Sequence, residues 1–422
     1  SSITIGGTTF TAPSTDINGI VRPNPDNTNP DIGAYENSLG VPAHNQFIFI
    51  DTLGVDFGSV GLESGPFKTI QAAIDYSKND DTLFVAPGTY EENLDYSGKN
   101  ILLSSKEGPW NTTLVPGDSS LPVVNFSNGE TSSAFLRGFT IKDGGDIAGS
   151  AIKVDISSSP IIENCIIRDC DNTVNVVSSA IAVNNGSPII RNCLLVDNYV
   201  GISFADQDLG PQVINSTIAN NINTGIISLA VSDIPEVYNS VIYGNTSSTE
   251  GLISVGYSLI EGGYEGTGNI DKDPLFVDAF EGDFRLSSFS PAIGQASTSY
   301  NPLSDLEGNL RPIRNEGDPD MGAFENPQPS QRPKSGFIVD GLGTDVEWSN
   351  SDSTLFANWS PFIDNNDNLD YEYAIGLASG NNYSLSFDGN DDYIELQPIN
   401  LSGGDSLTFS TNIWVDSFNQ PY

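Results

Sequence analysis

Along most of the chain, apolar residues come in short runs that keep returning, separated by polar turns. Pro160, Pro188, Pro211 and Pro235 each stand four residues before an asparagine: Asn164, Asn192, Asn215 and Asn239. These frames follow one another at 28, 23 and 24 residues. Behind each asparagine comes a small residue and then a mostly apolar pair, as in Cys165-Ile166-Ile167, Cys193-Leu194-Leu195, Ser216-Thr217-Ile218 and Ser240-Val241-Ile242. Gly138-Phe139-Thr140-Ile141 fits one step earlier. A second frame lies between them: Ala151–Val154, Ala180–Val183, Gly201–Phe204, Gly225–Ser228 and Gly251–Ser254.

Short strands at this spacing, joined by variable turns, predict an all-β fold, a parallel β-helix with coils ~4.8 Å apart. A helical solenoid would need a 3.6-residue period, which is absent. The Leu-x-x-Leu-x-Leu frame of leucine-rich repeats is absent too, and propeller blades would carry several longer strands each. The asparagine column is expected at a bend between sheets, since asparagine tolerates left-handed backbone and its amides can bond up a stack.

The entrance differs. Pro66–Tyr76 places Ile70, Ala73 and Ile74 on one helical face, and Thr82–Tyr90 follows as strand. A short amphipathic helix there would shield the open edge of the first coil.

A longer repeat is superposed. Thr15-Asp16-Ile17-Asn18-Gly19-Ile20-Val21-Arg22-Pro23 matches Ser304–Pro312, and Pro30–Asn37 matches Pro319–Asn326, both at an offset of 289 residues. Residues 1–37 therefore read as the tail of one module and 44–326 as a complete second one. Residues 327–335 are a Pro-rich linker. Both ends of the chain are expected to be cut within a module.

With 422 residues, the chain can hold two to four domains. Its 55 acidic against 16 basic residues give a formal charge of −39, which excludes nucleic acid and anionic membrane as partners. No apolar run approaches the ~20 residues of a membrane span. His44 is the only histidine, so a histidine triad or a multi-histidine zinc site is not expected. Cys165, Cys170 and Cys193 are too few for a disulfide scaffold. Cys165 and Cys193 share one column position and are expected as stacked buried thiols.

The segment FKTIQAAIDYSKNDDTLFVAPGTYEENL (67–94), followed by the Pro/Asn coils, resembles the pectin-lyase-like superfamily of right-handed β-helices. GDFRLSSFSPAIG (282–294), DLEGNLRP and DPDMGAFE resemble the closing segment of secreted bacterial β-helix repeat proteins. Residues 336–380, with Trp348 and Trp359, resemble part of a fibronectin type III domain. Residues 381–422 resemble the start of a LamG/concanavalin-like β-sandwich. The resemblance implies a right-handed fold and a secreted or cell-surface protein, but no single activity, because that superfamily holds lyases, hydrolases, esterases and adhesins.

Its polysaccharide lyases pair a carboxylate-held Ca²⁺ with a Lys or Arg base. Counting from the asparagine column puts Lys142 and Arg168 in neighbouring coils as the candidate bases, and stacks Asp143, Asp169 and Asp197 as candidate Ca²⁺ ligands. The alternative is that these aspartates end strands and cap turns. Asp206 and Asp208 read either as a hydrolase pair or as a solvated loop. Asp31/Glu36 and Asp320/Glu325 read as Ca²⁺ ligands or as partners of Arg22 and Arg311 that close the bottom coil. Asp388, Asp391 and Asp392 resemble the acidic turn that binds Ca²⁺ in some LamG domains.

Three functions stay open: adhesion to a polysaccharide or cell-surface glycan, a Ca²⁺-dependent polysaccharide lyase, and a structural spacer. Adhesion would suit exposed aromatics such as Tyr199, Tyr238, Tyr243 and Tyr257.

Overall fold

The computed structural model describes residues 44–327, except 60, 145–149, 156, 171–178, 206–209, 231–233, 301 and 313–316. Before them it describes 13–22 and 34–35, and the backbone of strands at 2–5 and 8–11. Beyond them it describes the backbone of strands at 338–340, 357–359, 371–377, 382–387 and 407–410.

Residues 47–260 wind into a parallel β-solenoid with three sheets of nine, eight and seven strands. Each coil gives one strand to each sheet in turn. In the middle coils the first sheet carries Phe135–Arg137, Ile161–Glu163, Ile189–Arg191, Gln212–Ile214 and Glu236–Tyr238. The second carries Thr140–Lys142, Ile166–Arg168, Leu194–Val196, Thr217–Ala219 and Val241–Tyr243. The third carries Ser150–Asp155, Ser179–Asn184, Val200–Phe204 and Thr224–Ser228.

The register explains the sequence frames. Ile141, Ile167, Leu195, Ile218 and Ile242 are successive partners in the second sheet and all are fully buried. Leu136, Ile162, Ile190, Val213 and Val237 do the same in the first. Each such aliphatic chain contributes roughly 1.5–3 kcal/mol by leaving water. A slip by one residue would turn the whole file outward.

Asn164, Asn192, Asn215 and Asn239 directly follow the paired residues Glu163, Arg191, Ile214 and Tyr238. They stand in one file at the corner between the first and second sheets, each with left-handed φ of 45–53°. Asn192 Nδ2 donates to Asn164 Oδ1 at 3.4 Å, and Asn239 Nδ2 to Asn215 Oδ1 at 3.2 Å.

One frame is corrected. Gly251–Ser254 is not the next third-sheet strand, because Thr224 pairs with Ser247 and Ser228 with Gly251. That strand is Ser247–Gly251, and the chain reaches the first sheet again at Ser254–Gly256. This coil lacks the connection that elsewhere brings in the proline, so the spacing shortens. Gly201 and Gly225 mark a close approach: a Cβ at Gly201 would lie 2.4 Å from the Gly225 carbonyl.

The predicted helix is Ile70–Tyr76, with Ile70, Ala73 and Ile74 buried. It packs on the first strands, Phe47–Ile50 and Thr82–Val85 of the first sheet and Leu94–Asp95 of the third. Thr69 caps it by accepting from Ala72 N. Glu92 accepts from Ile70 N and Gln71 N, satisfying two more of the free donors at the helix start.

Residues 276–326 do not close the bottom coil. The described residues among them lie along the flank as a clasp over the outer face of the second sheet. Phe284, Leu306, Ala323 and Phe324 bury Ile166, Leu194, Val196 and Ala219, and Ala292, Ile293 and Met321 bury Val241 and Leu259. Backbone carbonyls of the clasp accept from the asparagine column: Asp305 from Asn164, Ser304 from Asn192, Asp320 from Asn215 and Ser297 from Asn239. Gly322 has φ +93° and sits so close that a Cβ would lie 2.8 Å from Thr217 Oγ1.

Toward the C-terminus, 371–377 pairs antiparallel with 382–387 and 407–410.

Candidate functional site

The second corner of each coil, between the second and third sheets, carries the acidic column. Asp143, Asp169 and Asp197 end successive strands, each with φ of 57°. Asn220 and Gly244 continue the file with φ of 53° and 73°. Each member of the file takes the left-handed turn, a conformation in which Asp, Asn and Gly are enriched.

The basic candidates sit one residue earlier, with Lys142 opposite Arg168. Arg168 Nε donates to Asp169 at 2.8 Å, and its Nη2 lies 3.6 Å from Asp197. Lys142 lies 3.5 Å from Asp143. The bond from Asp169 raises the Arg168 pKa above its ordinary value. Burial pushes the Asp197 carboxyl up, against the pull of Arg168. Arg168 thus lies against this column as a counter-charge to Asp169 and Asp197. Among the described residues, no group of three or more His, Cys, Asp or Glu side chains is disposed to hold a metal. Asp206, Asp208, Asp388, Asp391 and Asp392 lie outside the described residues, as do Asp31 and Glu36.

The outer face of the third sheet is mostly polar, interrupted by Ala182 and Ile227. Asp95, Asn125, Lys153, Ala182, Ser203, Ile227 and Glu250 are successive partners along it. Lys153 lies 2.7 Å from Asp155, and Asn125 Nδ2 donates to Asp95 at 3.1 Å. On the first sheet, Glu163 sits between Arg137 and Arg191 and bonds both. All five basic residues of 117–258 are therefore engaged by carboxylates.

The tyrosines expected as an exposed platform are not one. Tyr199, Tyr238, Tyr243 and Tyr257 are all half-buried. Tyr238 is stacked on Tyr300 at 3.9 Å between centroids, and Tyr243 and Tyr257 pack against the clasp. A different aromatic patch lies on the outer face of the first two strands of the first sheet. Phe49 and Phe84 are paired residues with ring centroids 5.5 Å apart, and Phe47 is 6.3 Å from Phe84. Phe47 is 57% exposed, and Lys106 Nζ rests 5.4 Å from the Phe49 ring. The alternation Phe47-Ile48-Phe49-Ile50 announces this patch, since isoleucine and phenylalanine must face opposite sides of the strand.

One further column went unseen in the sequence, and another was seen only in part. Asn198, Asn221 and Asn245 are buried beneath the second corner. Asn198 Nδ2 donates to Asn221 Oδ1 at 3.0 Å, and Asn221 Nδ2 to Asn245 Oδ1 at 2.9 Å. The signal is the residue after each left-handed turn, in Asp197-Asn198, Asn220-Asn221 and Gly244-Asn245. Cys165, Cys193, Ser216, Ser240 and Ser258 form the other. Ser216, Ser240 and Ser258 hydroxyls accept the backbone N–H of Cys193, Ser216 and Ser240 in turn. All three cysteines are buried thiols outside any disulfide. His44 is held by Asp81 at 2.6 Å and stacks on Tyr76 at the helix, a packing role.

Residues 117–258 match the family described as the right handed beta helix region. Residues 52–100 match a family described as a protein of unknown function, DUF1565. No curated protein matches the chain. Among solved structures, the chain is similar to pectate lyase Pel9A at 13% identity and a TM-score of 0.31, over 67% of this chain and 97% of that one. It is also similar to a pectin methylesterase in complex with a hexasaccharide, at 13% identity and a TM-score of 0.26, over 54% of this chain and 66% of that one. No helix among the described residues is long and apolar enough to cross a membrane.

Proposed function

We propose that this chain is a secreted or cell-surface β-solenoid that binds polysaccharide along its coils without cleaving it. The single observation that supports this reading over a lyase is the pairing of every basic side chain on the central coils with a carboxylate. Elimination beside a uronate needs a base free to take a proton, and Arg168 is held more firmly protonated than usual.

Two surfaces suit a glycan. The phenylalanine patch offers apolar rings to the apolar face of a sugar, and exposed apolar clusters of this kind mark interaction sites. The third sheet offers polar side chains on most of its coils, which stand ~4.8 Å apart, along a line that an extended chain can follow.

The test is a panel of neutral and uronate polysaccharides, with and without Ca²⁺. Co-sedimentation should show binding that falls at least about tenfold in Phe47→Ala/Phe84→Ala. Unsaturated products that absorb in the ultraviolet, and that vanish in Lys142→Ala or Arg168→Ala, would replace this reading with the lyase. The calcium expectation for Asp143, Asp169 and Asp197 is tested in the same sample. A fall in Tm on chelation would support it, and an unchanged Tm would remove it.

A further inference from the structure

The described residues of the turn at 14–22 fold like their counterparts at 303–311 in the 289-residue repeat. Asp16 N donates to Ile20 O at 2.7 Å, and Asp305 N to Asn309 O at 2.8 Å. Ile17 N donates to Ala34 O at 2.9 Å, and Leu306 N to Ala323 O at 2.9 Å. Arg22 N reaches Ser14 O at 2.9 Å, and Arg311 N reaches Leu303 O at 3.0 Å. Asp16 Oδ1 accepts from Asn18 N and Ile20 N, and Asp305 Oδ1 from Glu307 N and Asn309 N. Gly19 and Gly308 share the same turn, with φ of 81° and 89°.

What differs is the cover. In the C-terminal copy, Leu306, Ala323 and Phe324 are buried on the second sheet, Leu306 and Phe324 at 3% and 4% exposure. Their counterparts Ile17, Ala34 and Tyr35 are exposed, Ile17 at 69% and Tyr35 at 63%. Within this chain the turn presents an aliphatic and an aromatic side chain to solvent.

We propose that Ile17, Ala34 and Tyr35 form a docking face whose partner is the outer face of the second sheet of a β-solenoid built like this one. The chain itself shows the joint. Leu306 and Phe324 meet a surface of Ile166, Leu194, Val196 and Ala219 from three successive strands, flanked by an asparagine column that donates to clasp carbonyls. The matched hydrogen-bond frame would carry Ile17 and Tyr35 onto the same chemistry. One solenoid would then be strapped to the next by a clasp of common design, independently of any glycan.

The full chain supplies its own probe. Leu306→Asp places a charge in the joint and frees the second sheet. Amide hydrogen exchange at 16–20 should then slow at least about tenfold relative to the unaltered chain, as the N-terminal face takes the vacated sheet. Adding Ile17→Asp should abolish that slowing. Equal exchange at 16–20 in the single variant and the unaltered chain, with Ile167 and Ile218 still protected, would overturn the proposal. If Leu306→Asp opens the coils themselves, the milder Phe324→Ala carries the same comparison.

Discussion

Asn239 donates Nδ2 to Asn215 Oδ1 in the adjoining coil at 3.2 Å and to the Ser297 carbonyl of the clasp at 2.9 Å. One amide thus ties coil to coil and coil to clasp. Solenoids of stacked repeats gain stability from such neighbour-to-neighbour terms, with few contacts across distance. The clasp adds a long-range term by crossing several coils at once.

The buried Asn198–Asn221–Asn245 column should be costly to break. Asn221 donates to Leu195 O and Asn245 Oδ1 while its own Oδ1 accepts from Asn198. Asn221→Ala strands these groups away from water and should cost about 3 kcal/mol. Denaturant unfolding would register this as a lower midpoint. A loss under about 1 kcal/mol would mean that the column is not a structural tie.

Cys193 should be replaceable by serine at less than about 1.5 kcal/mol, because its column already holds Ser216, Ser240 and Ser258 in the same geometry. Burial pushes its thiol pKa well up. The native chain should therefore resist thiol reagents and expose three reactive thiols on unfolding. Rapid labelling of Cys193 in the folded protein would count against the buried column.

Arg311 is fully buried with Glu325 at 2.8 Å and donates to the Asp320 and Gly322 carbonyls. Arg311→Met leaves the Glu325 carboxylate buried with a lost partner, at a cost of about 3–5 kcal/mol. The loss should fall on the clasp, so limited proteolysis should cut within 300–326 before the coils. Simultaneous cleavage throughout would contradict a separately opening clasp.

Glu92 carries a pH dependence. Burial raises its pKa above the ordinary 4.5, partly offset by the N–H groups of Gln71 and Ile70. A carboxyl whose folded pKa lies above its unfolded one favours the folded state at low pH. That contribution is lost as pH rises through the folded value. The neutral amide of Glu92→Gln mimics the protonated carboxyl, so the unaltered chain should lose stability relative to this variant as pH climbs above 4.5. Unfolding free energies at pH 4 and 7 measure it, and an unaltered chain that gains stability over Glu92→Gln between those pH values would refute the assignment.

The sequence by itself determined the solenoid. A period-2 pattern at 20-odd-residue intervals can bury its apolar side only by stacking, and the Pro–Asn frame fixes where each coil turns. The helix at 70–76 was equally legible, since Ile70, Ala73 and Ile74 fall on one face whatever they pack against. The 289-residue repeat was legible too, although not where its closing turn lies. Only the tertiary structure decided that the clasp runs along the flank, that it covers Tyr243 and Tyr257, and that Arg168 spends its charge on Asp169 and Asp197. A local pattern says which side of a strand is apolar. Whether an outward residue meets water, a neighbouring coil or a segment more than a hundred residues away is settled by long-range packing, which leaves no period in the sequence.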